Sequence, residues 1–231
     1  MKLEIEFFHD PLCPWCYTHS PRIHRLSEEY PEVHIVHRCF AMAPNPNWVA
    51  NIFGSNEEGK KVVIEHWRAA NFHDQEQRIN PLLMQTRTFD YPYSTPGLLA
   101  CKAAELQGGQ EAHWRMFDKL QERHLTKCLN INDNTVLLEC ARESGLYILQ
   151  WEEDYCSPRT LELVEKDIQR AIELRVFSTP TLVANGRHAL PGISEYDYLR
   201  LWVEQFLFTH PEDATKRYDL PAEHQPSCGS L

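Results

Sequence analysis

The residues best suited to chemistry are two cysteines near the start of the chain, in the sequence Cys13-Pro14-Trp15-Cys16. A thiolate, and not a thiol, attacks a disulfide, and the free N–H groups and positive dipole end of a helix N-terminus stabilise a thiolate. At such a position Cys13 would be the nucleophile. Cys16, one helical turn later, would attack the resulting mixed disulfide and release the product. The spacing therefore predicts thiol–disulfide exchange.

The same spacing also occurs as half of a zinc knuckle, which needs a second pair of cysteine or histidine ligands. The sequence has no other pair of cysteines separated by two residues. Cys39 and His37 are a conceivable second pair. They lie on a predicted strand, however, and their side chains would point to the same face of it by chance alone. We therefore expect no metal site.

Hydrophobic periodicity predicts the elements that position the two cysteines. Apolar residues alternate with polar ones over residues 2–8, as in a half-buried strand, and helical spacing extends from Cys13 to Tyr30. Residues 32–40 are rich in β-branched side chains, which indicates a second strand. Two cysteines with this spacing are more specific for redox chemistry when they follow a strand and begin a helix.

The predicted secondary structure changes twice in the remainder of the chain. Only helical patterns occur from about residue 56 to residue 176, and strand patterns return after Thr179-Pro180, as a hairpin around Asn185-Gly186. A last helix follows. The helical patterns predict a helix around Val62, one from Thr95 to the Gly108-Gly109 pair, and others from Gln110, from Asp133 to Gly145 and from Pro158. We expect an α/β fold with a mixed central sheet formed by residues 1–55 and 174–210, an inserted helical domain of residues 56–173, and a C-terminal tail of residues 211–231.

Three segments resemble the DsbA family of the thioredoxin superfamily, especially its leaderless FrnE-like members. Residues 10–17 (Asp-Pro-Leu-Cys-Pro-Trp-Cys-Tyr) look like the family signature. His37-Arg38-Cys39-Phe40, followed by Asn45-Pro46, is similar to the exit of the second strand. Ser178-Thr179-Pro180-Thr181, then Asn185-Gly186 and Gly192, resembles the cis-proline loop and hairpin. The resemblance covers most of the chain, to about Phe208.

This resemblance implies a thioredoxin-like fold and a protein dithiol–disulfide oxidoreductase or isomerase. It also implies that Pro180 is cis and lies against the active-site sulfurs, with the backbone of Thr179 offered to an extended substrate strand. Pro14 and Trp15 are candidate substrate contacts. Trp15 and Trp48 could form an apolar edge for the substrate, although Trp48 could instead simply pack after the second strand.

Trp15 marks a departure from the oxidising periplasmic members of the family, which carry histidine at this position. Histidine can add positive charge beside the thiolate and tryptophan cannot. We therefore expect a less acidic Cys13 and a less oxidising couple in this chain.

Three ionisable residues before the motif could shift the pKa values of the two thiols or exchange protons with them. Glu6 could be a buried acid that moves a proton for Cys16, although the alternation of its strand favours a solvated position. Asp10 would disfavour the thiolate of Cys13, and His9, when protonated, would favour it. His9 and Asp10 could equally be ordinary turn residues.

Composition excludes several classes of function. The chain of 231 residues has 33 acidic and 23 basic residues and a formal charge of −10, so it would repel a phosphate backbone, and we expect no nucleic-acid partner. No apolar run approaches the roughly 18 residues that a membrane helix needs, and the first residues do not resemble a secretory signal. We expect a cytoplasmic protein without a bound cofactor, acting on protein thiols and disulfides or on glutathione as a redox co-substrate.

The sequence predicts no chemical role for the other cysteines or for several histidines. Cys101 and Cys140 are expected to be buried, unreactive thiols, and His66, His113 and His124 are expected at the surface or at the edge of the core. The pattern assigns no role to four further cysteines: Cys39, Cys128, Cys156 and Cys228.

Two other functions remain open. The first is glutathione-dependent isomerisation, as in the hydroxychromene carboxylate isomerases, which carry serine in place of the first cysteine; the presence of both Cys13 and Cys16 argues against it. The second is a cytosolic adaptor or redox-sensing binding protein that presents a regulator to a protease.

Overall fold

A computed structural model describes residues 3–208 of the chain. The strands within this range form one mixed sheet with the order β2-β1-β3-β4. Parallel pairing joins β1 to β2, whereas β3 pairs antiparallel with both β1 and β4. The strands are β1 (Leu3–His9), β2 (Val33–Cys39), β3 (Thr181–Ala184) and β4 (His188–Pro191). The predicted thioredoxin-like class with a mixed sheet is confirmed.

The helices occupy the segments where helical periodicity was predicted, together with three short segments where it was not. Six- and eight-residue helices are too short to show a periodic pattern, which is why α2, α4 and α7 were missed. The helices are α1 (Pro14–Glu29), α2 (Trp48–Phe53), α3 (Asn56–His73), α4 (Pro81–Thr86), α5 (Ser94–Gln121), α6 (Asn134–Glu143), α7 (Ile148–Tyr155), α8 (Pro158–Glu173) and α9 (Tyr196–Phe208).

The long helix α5 is broken at the Gly108-Gly109 pair, where the sequence predicted a helix end. Gly109 has φ 64° and ψ −155°, a conformation open essentially to glycine alone. The second half of α5 therefore starts in a new direction, and it continues into a π-helical turn at Glu122–Thr126. Its side chains reach the sheet, where Phe117 contacts Phe7 with ring centroids 6.1 Å apart.

Both faces of the sheet are covered, and this changes the burial of β1. Ile5 and Phe7 belong to the main core with α1, α5 and α9. Phe8 packs on the opposite face with Ala171 of α8 and Val176. Every residue of β1 except Glu4 is buried, so the predicted half-exposed strand is wrong from Glu6 onward. A second layer of helix produces this difference, and the sequence of β1 alone carries no sign of it.

One hydrophobic core includes residues from the predicted sheet domain and from the predicted helical domain. Ile5 and Leu199 share it with Trp67, Phe117 and Leu137. The division into residues 1–55 with 174–210 and residues 56–173 stays a prediction. The predicted tail, residues 211–231, lies outside the described residues.

Candidate functional site

Cys13 is the N-cap residue of α1. Its backbone is extended, with φ −77° and ψ 111°, and Pro14 occupies the first helical turn, where a missing N–H has no cost. The N–H of Cys16 donates to Cys13 Sγ over 3.3 Å. This donor, together with the helix dipole, is the arrangement that stabilises a thiolate. Both cysteines have 0% exposed surface, so an external disulfide reaches Cys13 only after a local opening.

The Thr179–Pro180 peptide bond is cis, which confirms the expectation from the family resemblance. The thiol of Cys13 donates to the carbonyl oxygen of Thr179 over 3.6 Å. The strand β3 begins directly after this bond and pairs with β1, the strand that leads to the motif. The sheet therefore brings two segments that are distant in sequence to the same sulfur.

Cys16 differs from Cys13 in its surroundings. Burial raises the pKa of the Cys16 thiol well above its usual value, and the hydrogen bond and charge of Cys13 raise it further. Cys16 is therefore a protonated thiol at neutral pH and must lose this proton before it attacks a mixed disulfide. The backbone carbonyl oxygen of Cys13 accepts a hydrogen bond of 3.2 Å from Gln121 Nε2.

Asp10 is a buried carboxyl group just before the motif. It accepts hydrogen bonds from the N–H of Leu12 at 2.9 Å, the N–H of Met42 at 2.8 Å and the hydroxyl of Ser94 at 2.6 Å. Burial raises the pKa of Asp10 to about 6, although these hydrogen bonds act in the opposite direction. The charge of Asp10 also raises the pKa of Cys16. A tuning role for Asp10 stays a prediction.

Glu6 is 1% exposed, so the prediction that it lies on a solvated face is wrong. Its carboxylate accepts hydrogen bonds from Arg38 Nε at 2.7 Å and from an Arg170 guanidinium N–H at 2.8 Å. Burial alone would raise the pKa of Glu6, but these two arginines outweigh it and lower the pKa below its usual value. Glu6 lies on the Phe8 face of β1 and is held there as an ion pair. This position gives no support to proton transfer toward Cys16.

His9 is the last residue of β1 and is fully buried, so the alternative that it is a turn residue is wrong. Its Nε2 lies 3.1 Å from Nδ1 of His37. Burial lowers the pKa of His9 well below its usual value, and the nearby His37 and His113 lower it further. A neutral His9 places no positive charge beside the thiolate.

Trp15 of the motif is one of several aromatic side chains near the motif or the cis-proline loop, and two others, Phe72 and Phe177, were not predicted from the sequence. Trp15 is half-buried and contacts the ring of His73 with centroids 5.7 Å apart, and His73 in turn contacts Phe72. Phe72 is 82% exposed and Phe177, two residues before Thr179, is 84% exposed. Exposed phenylalanines on predicted helix and loop positions carry no distinctive sequence signal. Pro14 is buried, and Trp48 is exposed after β2.

The remaining cysteines of the described range separate into buried and exposed thiols. Cys101 and Cys140 are buried as predicted, and burial raises the pKa of Cys140 to about 12. Cys39 and Cys128 are also buried, whereas Cys156 is exposed. His113 and His124 are fully buried, so their predicted surface or core-edge positions are wrong. Cys228 lies outside the described residues.

Comparison with known proteins identifies relatives of this chain. A family model described as thioredoxin matches residues 7–194. The ClpXP adapter protein SpxH of Bacillus subtilis is 30% identical over 227 residues, which cover 95% of this chain and 71% of that protein. The SpxH of Shouchella clausii is 30% identical over 188 residues, which cover 78% of this chain and 57% of that protein.

Solved structures with little sequence identity share the fold. A candidate protein disulfide isomerase from Nitrosomonas europaea superposes with a TM-score of 0.73 at 17% identity, covering 90% of this chain and 98% of that one. The cytosolic disulfide reductase DsbM of Pseudomonas aeruginosa, with GSH, superposes with a TM-score of 0.65 at 20% identity, covering 88% of this chain and 98% of that one.

No helix among residues 3–208 is long and apolar enough to cross a membrane.

Proposed function

The chain belongs to the thioredoxin family and has a DsbA-like fold, and from this premise we propose that it is a dithiol–disulfide oxidoreductase with Cys13 as nucleophile and Cys16 as resolving thiol. One observation carries the proposal. Cys13 Sγ lies at a helix N-terminus, 3.3 Å from the N–H of Cys16 and 3.6 Å from the carbonyl oxygen that precedes cis-Pro180.

The proposed exchange has two steps. The Cys13 thiolate attacks one sulfur of a substrate disulfide, forms a mixed disulfide, and releases the other sulfur as a thiolate that takes a proton. Cys16 then loses its proton and attacks Cys13 Sγ, which releases the reduced substrate and leaves a Cys13–Cys16 disulfide. Two electrons pass from the dithiol to the substrate. The reverse sequence oxidises a substrate dithiol.

Substrate binding in this proposal uses the backbone beside Thr179 together with the side chain of Trp15 and the exposed ring of Phe177, two residues before Thr179. An extended peptide paired with the cis-proline loop is recognised by main-chain hydrogen bonds, so little side-chain specificity is expected. We propose protein thiols or glutathione as co-substrates, in the cytoplasm and with no organic cofactor. A disulfide reductase of the same fold is described as cytosolic and was studied with GSH, which supports this choice.

The proposal is tested by trapping free thiols of the purified full chain across a series of glutathione redox buffers, followed by an insulin-reduction assay. We expect one reversible two-electron transition in the wild type and in Cys156→Ser, because Cys156 is an exposed cysteine without a role in the exchange. Cys13→Ser should lose both the transition and turnover. Turnover that survives in Cys13→Ser would contradict the proposal.

A second candidate function is that of an adaptor for a ClpXP-type protease. The relative from Bacillus subtilis carries this name and shares 30% identity over nearly the whole chain. The complete burial of Cys13 also suits a protein in which the thiols are sensed or structural better than one that meets many substrates.

A deletion strain of the source organism separates the two candidates. It is complemented with the wild type, with the Cys13→Ser/Cys16→Ser double variant, and with Cys156→Ser as the control. The oxidoreductase proposal expects the double variant to fail and the control to succeed. Full complementation by the double variant, with unchanged protein level, would favour the adaptor.

A further inference from the structure

Three buried histidines form a cluster that thiol–disulfide exchange does not use. His9 ends β1, His37 lies in β2, and His113 lies in the second half of α5. All three are 0% exposed, and one nitrogen from each ring lies within 4.8 Å of the other two. The cluster therefore connects two neighbouring strands with the helix that covers them.

The hydrogen bonds of this cluster leave ring nitrogens without partners. His37 Nδ1 and His9 Nε2 lie 3.1 Å apart, and His113 Nδ1 donates to Glu105 Oε2 over 2.7 Å. The opposite nitrogens, His9 Nδ1, His37 Nε2 and His113 Nε2, are buried and have no hydrogen-bond partner. Unpaired buried polar atoms are uncommon because each carries a desolvation penalty, so His113 Nε2 is a buried lone pair that a ligand shared with the His9–His37 pair could satisfy.

We propose that His9, His37 and His113 together bind one divalent transition-metal ion such as Zn²⁺. Imidazole nitrogen is a preferred ligand of zinc, copper and nickel ions. Zinc–nitrogen bonds of about 2.1 Å place two ligands on a tetrahedral ion roughly 3.4 Å apart. The 3.1 Å between His37 Nδ1 and His9 Nε2 is close to this separation. One nitrogen of each of the three rings lies within 4.8 Å of the other two, so small ring rotations would bring the third ligand into range.

Glu105 provides the support that a histidine ligand normally has in metal proteins. A metal-bound histidine usually donates its second N–H to a carboxylate, which orients the ring and selects the tautomer. The Glu105–His113 hydrogen bond does this and leaves the lone pair of His113 Nε2 directed into the core. Lys102 Nζ donates to the same oxygen, Glu105 Oε2, over 2.7 Å. Glu105 is therefore a positioning residue, and its negative charge partly offsets that of the ion.

An ion held by β1, β2 and α5 would stabilise the folded state, because the unfolded chain does not hold the three ligands together. This role is independent of the redox reaction proposed for Cys13 and Cys16.

The test removes the competing thiols first, because the Cys13–Cys16 dithiol can also bind zinc. The full chain with Cys13→Ser/Cys16→Ser is stripped with a chelator and titrated with Co²⁺ and then with Zn²⁺ as competitor. We expect one equivalent of Co²⁺ with visible ligand-field absorption, without the charge-transfer bands of thiolate ligation. Zn²⁺ should displace it and raise Tm.

Three single variants on this background decide whether the cluster is responsible. Glu105→Gln should weaken Zn²⁺ binding about 10- to 100-fold, and His113→Gln should weaken it more. His19→Gln is the matched control, because His19 is also fully buried with both ring nitrogens unpaired but lies outside the cluster. Its affinity should be unchanged. If His113→Gln does not fold, Glu105→Gln supplies the test.

Two results would overturn the proposal. One is the absence of saturable Co²⁺ binding by the double-serine protein. The other is binding with the same affinity in the folded His113→Gln or Glu105→Gln variant as in its parent.

Discussion

The two cysteines of the motif are not equivalent, and the structure shows why. Cys13 Sγ accepts the N–H of Cys16 at the helix N-terminus, whereas Cys16 Sγ lies inside the helix, where burial and the neighbouring Cys13 raise its pKa. A thiolate forms more easily where donors face it than where apolar atoms surround it. The proposed order of attack, Cys13 first and Cys16 second, follows from this difference.

This asymmetry predicts which variant traps an intermediate. Cys16→Ser treated with oxidised glutathione should accumulate a mixed disulfide at Cys13, because the thiol that resolves it is absent. Mass spectrometry after alkylation and proteolysis locates the adduct. Cys13→Ser should remain unmodified at Cys16 under the same conditions, and an adduct there would show that the order of attack is wrong.

Trp15 contributes an apolar ring between the cysteines and no charge. Trp15→His should make the couple more oxidising, because a protonated imidazole stabilises the thiolate and hence the reduced form. We expect at least a tenfold change in the equilibrium constant with glutathione, which corresponds to about 30 mV. Trp15→Phe controls for loss of the indole. A Trp15→His variant that is no more oxidising than Trp15→Phe would refute the argument.

At the scale of elements, the break in α5 has a role in placing the site. After Gly109 the helix starts again with Gln110, whose Oε1 accepts the N–H of His37 in β2 over 2.6 Å. The same half-helix carries Gln121, whose amide donates to the carbonyl oxygen of Cys13. One rigid segment therefore connects the edge of the sheet with the start of α1.

Gly109→Ala should destabilise the protein by about 1–3 kcal/mol, because φ 64° with ψ −155° is a conformation that a Cβ atom disfavours. The position is sterically open, so backbone strain is the whole effect. Urea unfolding measures the free energy. Glu111→Ala, two positions along on the exposed surface, is the control and should change it by less than about 0.5 kcal/mol. Equal stability of Gly109→Ala and Glu111→Ala would contradict the account.

At the scale of the whole molecule, a network of buried charges joins the sheet to its covering helices. Glu6 binds Arg38 and Arg170, and Arg38 also binds Asp167 over 3.1 Å. Lys102 of α5 binds the same Asp167 over 2.7 Å. Buried charges are tolerated when each has an opposite partner, and the network meets this condition across β1, β2, α5 and α8.

The network predicts an acid-sensitive contribution to stability. The pKa of Glu6 is lowered in the folded protein, so its contribution is complete above the usual value of 4.5 and is lost as pH falls through the folded-state pKa. At pH 7, Glu6→Gln should lower the free energy of unfolding by about 3 kcal/mol. This value is the lower end of the range for breaking a buried ion pair, because both arginines are partly exposed.

Chemical unfolding at several pH values between 7 and 3 measures this contribution. The difference between the wild type and Glu6→Gln should shrink as the medium becomes more acidic. Glu4→Gln, on the same strand but exposed, serves as the control. A difference that is constant over this range would show that Glu6 does not titrate with folding.

The sequence by itself determined the local features of this protein. The cysteine pair at a helix start, the strand before it, the hairpin at Asn185-Gly186 and the helix stop at Gly108-Gly109 depend on residues close in sequence, because caps, turns and periodicity act over a few residues. The family resemblance added the cis bond before Pro180. Together these features indicated the fold class and the two thiols of the site.

The tertiary structure decided the features that depend on contacts between distant segments. Whether Glu6 meets water or Arg170 depends on α8 covering the second face of the sheet, and the alternation of β1 carries no information about that helix. His9, His37 and His113 come together because α5 turns back over two adjacent strands. Burial and proximity of this kind are properties of packing, so residue type and spacing alone do not predict them.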